Sequence, residues 1–201
     1  MKSSPVNSAE SVAAAEIGGL TRETAYGWVA IAATRQGVLL VTLPTVSERE
    51  AIARAGEALG RPFAELLGAP QESQAAALLA QLCRDMADYF AGKPVDFSSY
   101  PLDLSGSPFV EAVRAAVRAI PYGQTRSYGE VAAAVGRPGA ARAVGQVMAK
   151  NPVPVLIPCH RVVGATNHLH GFGGGLPLKE RMLRMEGVAF TGPGRVAREK
   201  P

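Results

Sequence analysis

Cysteine and histidine are scarce in this chain, which has two cysteines and three histidines among its 201 residues. Cys83 and Cys159 lie in unrelated segments, so the sequence predicts no disulfide scaffold and favours a reducing compartment. There is no Cys-x-x-Cys pair, and all three histidines lie between positions 160 and 170. A structural zinc site is therefore not expected. Cys83 falls on an apolar stripe at helical spacing, which predicts a small buried side chain.

Long hydrophobic runs are also missing. Near the N-terminus, Glu10 and Glu16 interrupt the apolar stretch that a signal peptide would need. No later run approaches the length of a membrane-spanning helix. We therefore expect a soluble, cytoplasmic protein.

The charge balance is mildly basic, with a formal net charge of +4. Such an excess is compatible with a polyanionic partner, although a charge of this size more often serves solubility alone. Hydrophobic residues make up 47% of the chain, which is enough to build a core. The length fits one domain or two small ones.

Composition divides the chain into four segments. Residues 1–24, rich in Ser, Ala, Glu and Gly, are expected to be a flexible tail, and residues 191–201 a flexible basic tail. Between them we predict an α/β domain over 25–100 and a second, mostly helical domain over 101–190. The segment KPVDFSSYPLDLSGSP, rich in Pro, Ser and Asp, is the best candidate for a linker.

The first domain should contain a β-hairpin followed by two helices. Two apolar runs between Trp28 and Leu43, joined by Arg-Gln-Gly, predict the hairpin. Ser47 and Glu50 have the spacing of a capping box, which opens a helix ending near Leu59. A longer amphipathic helix is predicted from about residue 71 to 90.

The second domain begins with a predicted helix over 108–120, for which a proline is suited to the first position. Ser127 and Glu130 form another capping box, opening a short helix that ends at Gly136. A third helix is predicted over 138–150. Two short helices around a glycine-containing turn are typical of a helix-turn-helix, a DNA-binding motif.

Cys159 is the candidate nucleophile, in the stretch IPCHRVV. The preceding prolines predict an extended segment, in which adjacent side chains point to opposite sides. His160 is the nearest base, so its contact with the thiol needs a bridging water or a local bend. Lowering a thiol pKa to about 7 takes roughly 2 kcal/mol of extra stabilisation of the thiolate. A carboxylate should orient the imidazole, and Glu186 and Glu180 are the two candidates. A buried, inert cysteine is the alternative.

The third helix carries small residues at a spacing of four, namely Ala141, Gly145 and Ala149. Such a stripe permits close approach either to another helix or to a DNA groove. Arg142 lies beside the stripe and Arg137 precedes it. An enzyme that modifies a base must extrude that base from the duplex, and a long planar cation such as arginine can fill the gap. Tyr128 begins the preceding helix, where phosphate can bind.

Four motifs follow one another in this half of the chain: SYGEVA, GAARAVG, NPVPVLIPCHRVV, and GFGGGL followed by a lysine and an EG pair. Together they closely resemble the O6-alkylguanine-DNA alkyltransferase family, also called methylated-DNA–protein-cysteine methyltransferases. The resemblance is strong from about Ser107 to Val188 and weaker before it. It implies an α+β fold, with a small RNase-H-like N-terminal domain and a helical, winged-helix-like C-terminal domain carrying the helix-turn-helix.

The resemblance also implies an activity, which is direct-reversal DNA repair. Cys159 would take the alkyl group irreversibly from O6-alkylguanine in double-stranded DNA after nucleotide flipping, with O4-alkylthymine as a second candidate substrate. Each molecule would act once, as a monomer, in the cytoplasm beside the nucleoid, without a metal or redox cofactor.

The same resemblance implies roles for residues of this chain. His160, through a water and with Glu186 behind it, would activate Cys159, and Asn151 would brace the loops of the site. The residues expected to contact DNA or the alkylated base are Tyr128, Arg137, Ala141, Arg142, Gly145, Val162 and Gly173. Lys179 would lie near the thiol.

Two departures from the family pattern concern the loop after Cys159. Phe172 stands where many members have tyrosine, and His170 where glycine is common. We expect His170 to narrow the pocket against bulky alkyl groups. The alternatives to an alkyltransferase are a non-catalytic sensor of alkylation damage, a transcription regulator and a cysteine hydrolase.

Overall fold

The computed structural model describes residues 17–67 and 74–197. Helices and small sheets are both present, so the α+β class predicted from the sequence is confirmed. The chain divides into two compact units, with the boundary between Ser105 and Gly106. Within the described ranges, no helix combines the length and apolar character needed to cross a membrane.

The first unit is built on a three-stranded antiparallel sheet of β1 (Gly18–Thr24), β2 (Gly27–Ala33) and β3 (Val38–Val41). The predicted hairpin corresponds to β2 and β3. The predicted tail over 1–24 is wrong for residues 18–24, which pair along their whole length with β2. Its residues 1–16 lie outside the described part of the chain.

Two helices accompany this sheet, α1 (Glu48–Leu59) and α2 (Gln74–Phe90). The Ser47 side chain accepts a hydrogen bond from the Glu50 amide, as predicted. The Glu50 carboxylate, however, bonds to Arg54 one turn later. Cys83 is buried on α2, as its place in an apolar stripe predicted.

The segment between the units is anchored to the first one. The Val38 amide donates to the carbonyl of Pro101, and Thr34 Oγ1 donates to Asp103 Oδ2 at 2.6 Å. Residues 101–105 therefore belong with the sheet, and the predicted domain boundary at 100 falls five residues too early. Local composition indicated where the linker lies. It could not indicate the boundary, because the contacts of this segment are with residues more than 60 positions earlier in the chain.

In its described residues, the second unit contains four α-helices and four short strands, which form two pairs. Its helices are α3 (Pro108–Arg118), α4 (Tyr128–Ala134), α5 (Ala141–Ala149) and α6 (Gly175–Met185). Its strands are β4 (Arg126–Ser127), β5 (Val162–Val163), β6 (Phe190–Gly192) and β7 (Arg195–Val196).

The predicted helix-turn-helix is formed by α4 and α5. Both hydrogen bonds of the predicted capping box are present, from the Glu130 amide to Ser127 and from the Ser127 amide to Glu130. The second helix begins at Ala141 rather than at Pro138. Gly139 takes a positive φ of 92° before it, a conformation that glycine adopts without strain, so the chain is still turning there.

A short parallel pairing brings distant parts of the second unit together. Arg126 and Ser127 of β4 pair with Val162 and Val163 of β5. The first residue of α4 follows β4 directly, and Cys159 lies three residues before β5. The pairing therefore holds the start of the helix-turn-helix close to the segment that carries the thiol.

The predicted basic tail over 191–201 is wrong for residues 191–197. β6 and β7 form an antiparallel hairpin, and Val196 is buried against Val163, Leu169 and Leu183. Short strands of this kind leave little trace in the sequence, because their stabilising contacts come from elsewhere in the fold. Residues 198–201 lie outside the described part of the chain.

Candidate active site

The segment that carries Cys159 turns twice and does not run extended as predicted. Val155 adopts a positive φ of 76°, and the Ile157 amide donates back to the carbonyl of Val153. A 3-10 turn then spans Cys159–Arg161, closed by a bond from the Arg161 amide to the Pro158 carbonyl. The backbone is therefore bent rather than extended at Cys159 and His160.

The thiol of Cys159 is buried, with 7% of the residue exposed. Burial raises the pKa of Cys159, while an Asn151 hydrogen bond, the Lys179 charge and the backbone amides of Cys159 and His160 act in the opposite direction. Burial outweighs these opposing contacts, so the pKa of the Cys159 thiol lies above its ordinary value. The resting thiol is protonated, so its activation needs a base.

Asn151 braces the two turns. Its Nδ2 donates to the carbonyl of Ile157 at 2.8 Å, and its Oδ1 accepts from the Val153 amide at 3.2 Å. One side chain therefore ties the beginning of the segment to the residue two places before Cys159. The asparagine also donates toward the thiolate form of Cys159.

His160 and Glu186 form a buried pair. His160 Nε2 lies 2.9 Å from Glu186 Oε1, and both side chains are fully inaccessible. Burial lowers the pKa of His160, with Arg161 and Lys179 acting in the same direction and Glu186 against them. With its Nε2 proton directed at the carboxylate, a neutral imidazole carries its lone pair on Nδ1. Glu180, the other carboxylate considered, instead binds Arg184 at the surface.

Arg161 is a site residue that sequence reasoning missed. Its Nε and Nη2 donate to the two carboxylate oxygens of Glu186 at 2.9 and 2.8 Å, and its Nη1 donates to the Ile120 carbonyl at 2.6 Å. Burial alone would raise the pKa of Glu186, but His160 and Arg161 together hold it well below its usual range. The sequence offered one signal, which is that Arg161 directly follows His160. In a 3-10 turn, two adjacent side chains can contact the same partner, here Glu186.

Lys179 is fully buried on α6, near the thiol as expected. Its Nζ donates to the carbonyls of Val162 and His170 at 2.7 and 3.0 Å. Burial lowers the pKa of Lys179 to about 8, against the opposing effect of Cys159. A cation held by two neutral carbonyls keeps its charge available to a thiolate formed nearby.

One candidate residue of the helix-turn-helix, Tyr128, lies close to this site. The half-buried ring of Tyr128 approaches Gly145 of α5, and burial and then Cys159 raise the pKa of the tyrosine. On α5, Val144 and Met148 are buried, whereas Arg142 is exposed. Of the other candidate residues here, Ala141 and Gly145 are half-buried, and Arg137 and Ala149 are exposed.

The loop between β5 and α6 contains both departures from the family pattern. The ring of His170 lies directly over Gly164, where an added methyl group would clash with it at 2.4 Å. Phe172 is half-buried, with Lys179 Nζ 6.0 Å from its ring centroid, and Gly173 is exposed. Among the described residues, no three His, Cys, Asp or Glu side chains are grouped to hold a metal ion.

Comparisons with known proteins cover the part of the chain that contains this site. Residues 108–188 match the family model described as 6-O-methylguanine DNA methyltransferase, DNA binding domain. A methylated-DNA–protein-cysteine methyltransferase of Mycolicibacterium paratuberculosis is 52% identical over 98 residues, which cover 49% of this chain and 59% of the relative. The chain thus matches about three fifths of that relative's length.

Two solved structures resemble a larger part of the chain. The crystal structure of Mycobacterium tuberculosis O6-methylguanine methyltransferase has a TM-score of 0.64 and 32% identity, covering 85% of this chain and 92% of that one. A structure of Mycobacterium tuberculosis OGT in complex with DNA has a TM-score of 0.63 and 32% identity, covering 84% and 92%. The chain therefore belongs to the methylated-DNA–protein-cysteine methyltransferase family.

Proposed function

We propose that this protein repairs DNA by direct reversal, moving the alkyl group of O6-alkylguanine irreversibly onto Sγ of Cys159. The observation that carries the proposal is the buried Cys159 next to a His160–Glu186 pair, inside the region that matches the family's DNA-binding domain. The names of its relatives, methylated-DNA–protein-cysteine methyltransferases, describe the same reaction.

The reaction begins with activation of the thiol. Because burial keeps Cys159 protonated, its proton must move to neutral His160, through a water as the family resemblance implies. Glu186 then stabilises the imidazolium that forms. Asn151 and Lys179 stabilise the thiolate, since both lower the pKa of Cys159. Burial thus disfavours a charge on Cys159 and on His160 at rest, and the low polarity of the site strengthens these contacts once the charges form during transfer.

Transfer is a single displacement at carbon. A bond forms between Sγ and the alkyl carbon, the bond from that carbon to O6 breaks, and its electron pair goes to guanine. A proton delivered to guanine, with Tyr128 as the candidate donor, makes it a better leaving group. The thioether on Cys159 is stable, so each molecule acts once and no redox cofactor enters the reaction.

Guanine would be recognised by backbone groups around the thiol. The carbonyls of Cys159 and Val162 and the amide of Gly173 are the candidate partners. The Val162 carbonyl already accepts from Lys179, and the Cys159 carbonyl accepts from the Val162 amide. A carbonyl oxygen has two lone pairs, so each retains the capacity to accept from the guanine edge.

Double-stranded DNA would be held by the helix-turn-helix, with α5 in a groove. Ala141 and Gly145 allow close approach, and exposed Arg142 would fill the space left by the extruded nucleotide. Arg137 would contact the backbone. Tyr128 begins α4 close to the thiol segment, which suits a role in rotating the phosphate of the flipped nucleotide.

We also propose that the two units are RNase-H-like and winged-helix-like. The antiparallel sheet with its two helices supports the first assignment, and the β6–β7 hairpin after the helix-turn-helix supports the second.

The reaction needs one thiol and one lesion, so we propose that the protein acts as a monomer. Its place of action would be the nucleoid, in the cytoplasm. Size-exclusion chromatography with light scattering would test the monomer.

The proposed activity is tested by titration of a duplex that contains one O6-methylguanine. We expect the lesion to disappear in proportion to the protein added, with one lesion removed per molecule and no turnover. Cys159→Ser should bind the duplex and remove nothing. Binding by the wild-type protein without loss of the lesion would favour a damage sensor, and continued turnover would favour a hydrolase. A duplex with O4-methylthymine extends the same assay to the second candidate substrate.

A further inference from the structure

The carboxylate of Glu186 serves two different basic side chains. Its Oε1 accepts from His160 Nε2 and Arg161 Nη2, at 2.9 and 2.8 Å. Its Oε2 accepts from Arg161 Nε at 2.9 Å and from the Gly123 amide at 3.3 Å. Four donors therefore converge on two oxygens, and one of the two basic partners is a permanently charged arginine.

A buried carboxylate needs a positive partner, because an isolated charge is costly in a medium of low polarity. His160 and Arg161 are both placed to supply it. Histidine can take up a proton to do so, whereas arginine is always charged. The two-pronged contact of Arg161, with 8% of its side chain exposed, already neutralises the carboxylate. His160 can then remain uncharged without leaving a buried negative charge uncompensated.

The charged groups that face His160 support the same assignment, a charged Arg161 beside an uncharged His160. Cys159 and Arg161 lie within its own 3-10 turn. Helix α6 contributes Lys179, and Glu186 is the C-cap residue that follows this helix. Arg161 and Lys179 disfavour a proton on His160, and Glu186 favours one. Removing Arg161 would remove one of the two opposing cations and leave Glu186 with His160 as its nearest basic partner. The balance would shift toward an imidazolium.

We propose that Arg161 is a positioning residue that acts as the fixed counter-ion of Glu186, and so reserves His160 as a neutral proton acceptor for Cys159. This inference rests on the proposed function, because it concerns the base of the alkyl transfer. A purely structural role is the competing account, since Arg161 Nη1 also ties the turn to the carbonyl of Ile120. The two accounts differ in what happens to the pH dependence.

The test uses three variants and the full-length protein. Arg161→Gln keeps an amide donor without the charge, and Arg161→Lys keeps the charge without the fork. Arg184→Gln removes the charge of an exposed arginine that binds Glu180 on the same helix, and serves as the matched control. The rate of methyl transfer from an O6-methylguanine duplex is measured from about pH 5 to 9, the range in which histidine titrates.

The sign of the expected change follows from the charge. A base must be neutral, so the rate is lost as the pH falls through the pKa of His160. Loss of the arginine charge raises that pKa, and Arg161→Gln should move the acid limb of the profile up by about one pH unit or more, which is tenfold in rate at a fixed pH on that limb. Arg161→Lys should leave the acid limb within a few tenths of a pH unit of its wild-type position, and Arg184→Gln should leave it unchanged.

A lower rate with an unmoved acid limb in a folded Arg161→Gln protein would overturn the inference and leave Arg161 a structural tie. If Arg161→Gln does not fold, nitrogen NMR of the wild-type imidazole decides. A neutral ring protonated at Nε2 at pH 7 supports the inference, and an imidazolium overturns it. A wild-type protein that transfers no methyl group at any pH would instead contradict the proposed function, and the NMR result would still report the charge of His160.

Discussion

Glu186 and His160 are 26 residues apart in the chain, yet their side chains meet at 2.9 Å with no exposed surface on either. The contact joins the end of α6 to the turn that carries the thiol. Arg161 binds the same carboxylate, so the three residues form one buried cluster. A change at Glu186 should therefore alter both the stability of the protein and the rate of methyl transfer.

Glu186→Gln should be strongly destabilising. The substitution keeps the shape of the side chain but leaves the buried guanidinium of Arg161 without its counter-charge, which costs about 3–5 kcal/mol of unfolding free energy. Methyl transfer should fall as well, because the imidazolium loses its stabilising carboxylate. Urea unfolding at neutral pH measures the first effect. Glu180→Gln, which breaks an exposed pair with Arg184, should cost about 1 kcal/mol or less, and equal losses in the two variants would contradict this account.

Lys179 should make the stability of the protein depend on pH in the alkaline range. Its pKa is about 8 in the folded protein, below the ordinary value of 10.5. A group that binds its proton less tightly when folded destabilises the fold as the pH falls between these two values, by about 3 kcal/mol in total. The unfolding free energy of the wild type relative to Lys179→Met should therefore increase between about pH 8 and 10 and be flat below that range.

Urea unfolding of both proteins across that pH range measures the effect. Groups whose pKa values do not depend on Lys179 titrate alike in both proteins and cancel in the difference. If the unfolding free energies of the two proteins change in parallel with pH, the pKa of Lys179 is the same in the folded and the unfolded protein. That result would contradict the prediction.

Arg142→Ala should slow transfer from duplex DNA but not from a free base. The exposed arginine is assigned the space vacated by the flipped nucleotide, and flipping costs a few kcal/mol that the side chain helps to offset. We expect the rate with an O6-methylguanine duplex to fall about tenfold or more. The rate with free O6-benzylguanine should stay the same. Arg184→Ala controls for loss of positive charge, and equal effects on both substrates would contradict the assigned role.

His170→Gly should widen the range of alkyl groups that react. The imidazole ring lies over Gly164, close to the strand that follows the thiol turn, and its removal opens the loop. The Lys179 contact is with the backbone carbonyl of His170, so it survives the substitution. We expect a roughly tenfold faster reaction with O6-benzylguanine and little change with O6-methylguanine, within the about 1–3 kcal/mol by which pocket size discriminates substrates. A variant no faster than wild type with the benzyl substrate, or a His168→Gly control that is equally fast, would contradict the role of His170.

The elements that the sequence predicted well are those encoded by neighbouring residues. Ser127 and Glu130 cap α4 through their own backbone amides, and Ser47 caps α1 in the same local manner. A motif of this kind needs no information from the rest of the fold. The helix-turn-helix could therefore be located to within a few residues.

The features that were missed depend on distant partners. β1 is polar and pairs with β2, and the β6–β7 hairpin is stabilised by burial of Val196 beside α6. The same reason applies to the site. Burial of Cys159, which raises its pKa, and the contact between Arg161 and Glu186 both arise from tertiary structure. Residue type and spacing indicated which side chains carry the chemistry, but not how the fold distributes their charges.

The most direct test of the central claim is the intact mass of the protein after mixing with a duplex that contains one O6-methylguanine. The account predicts a gain equal to one methyl group replacing one hydrogen, located by peptide mapping on Cys159 and absent in Cys159→Ser. An unchanged mass in a folded sample that binds the duplex, or a methyl group on any other residue, would contradict it.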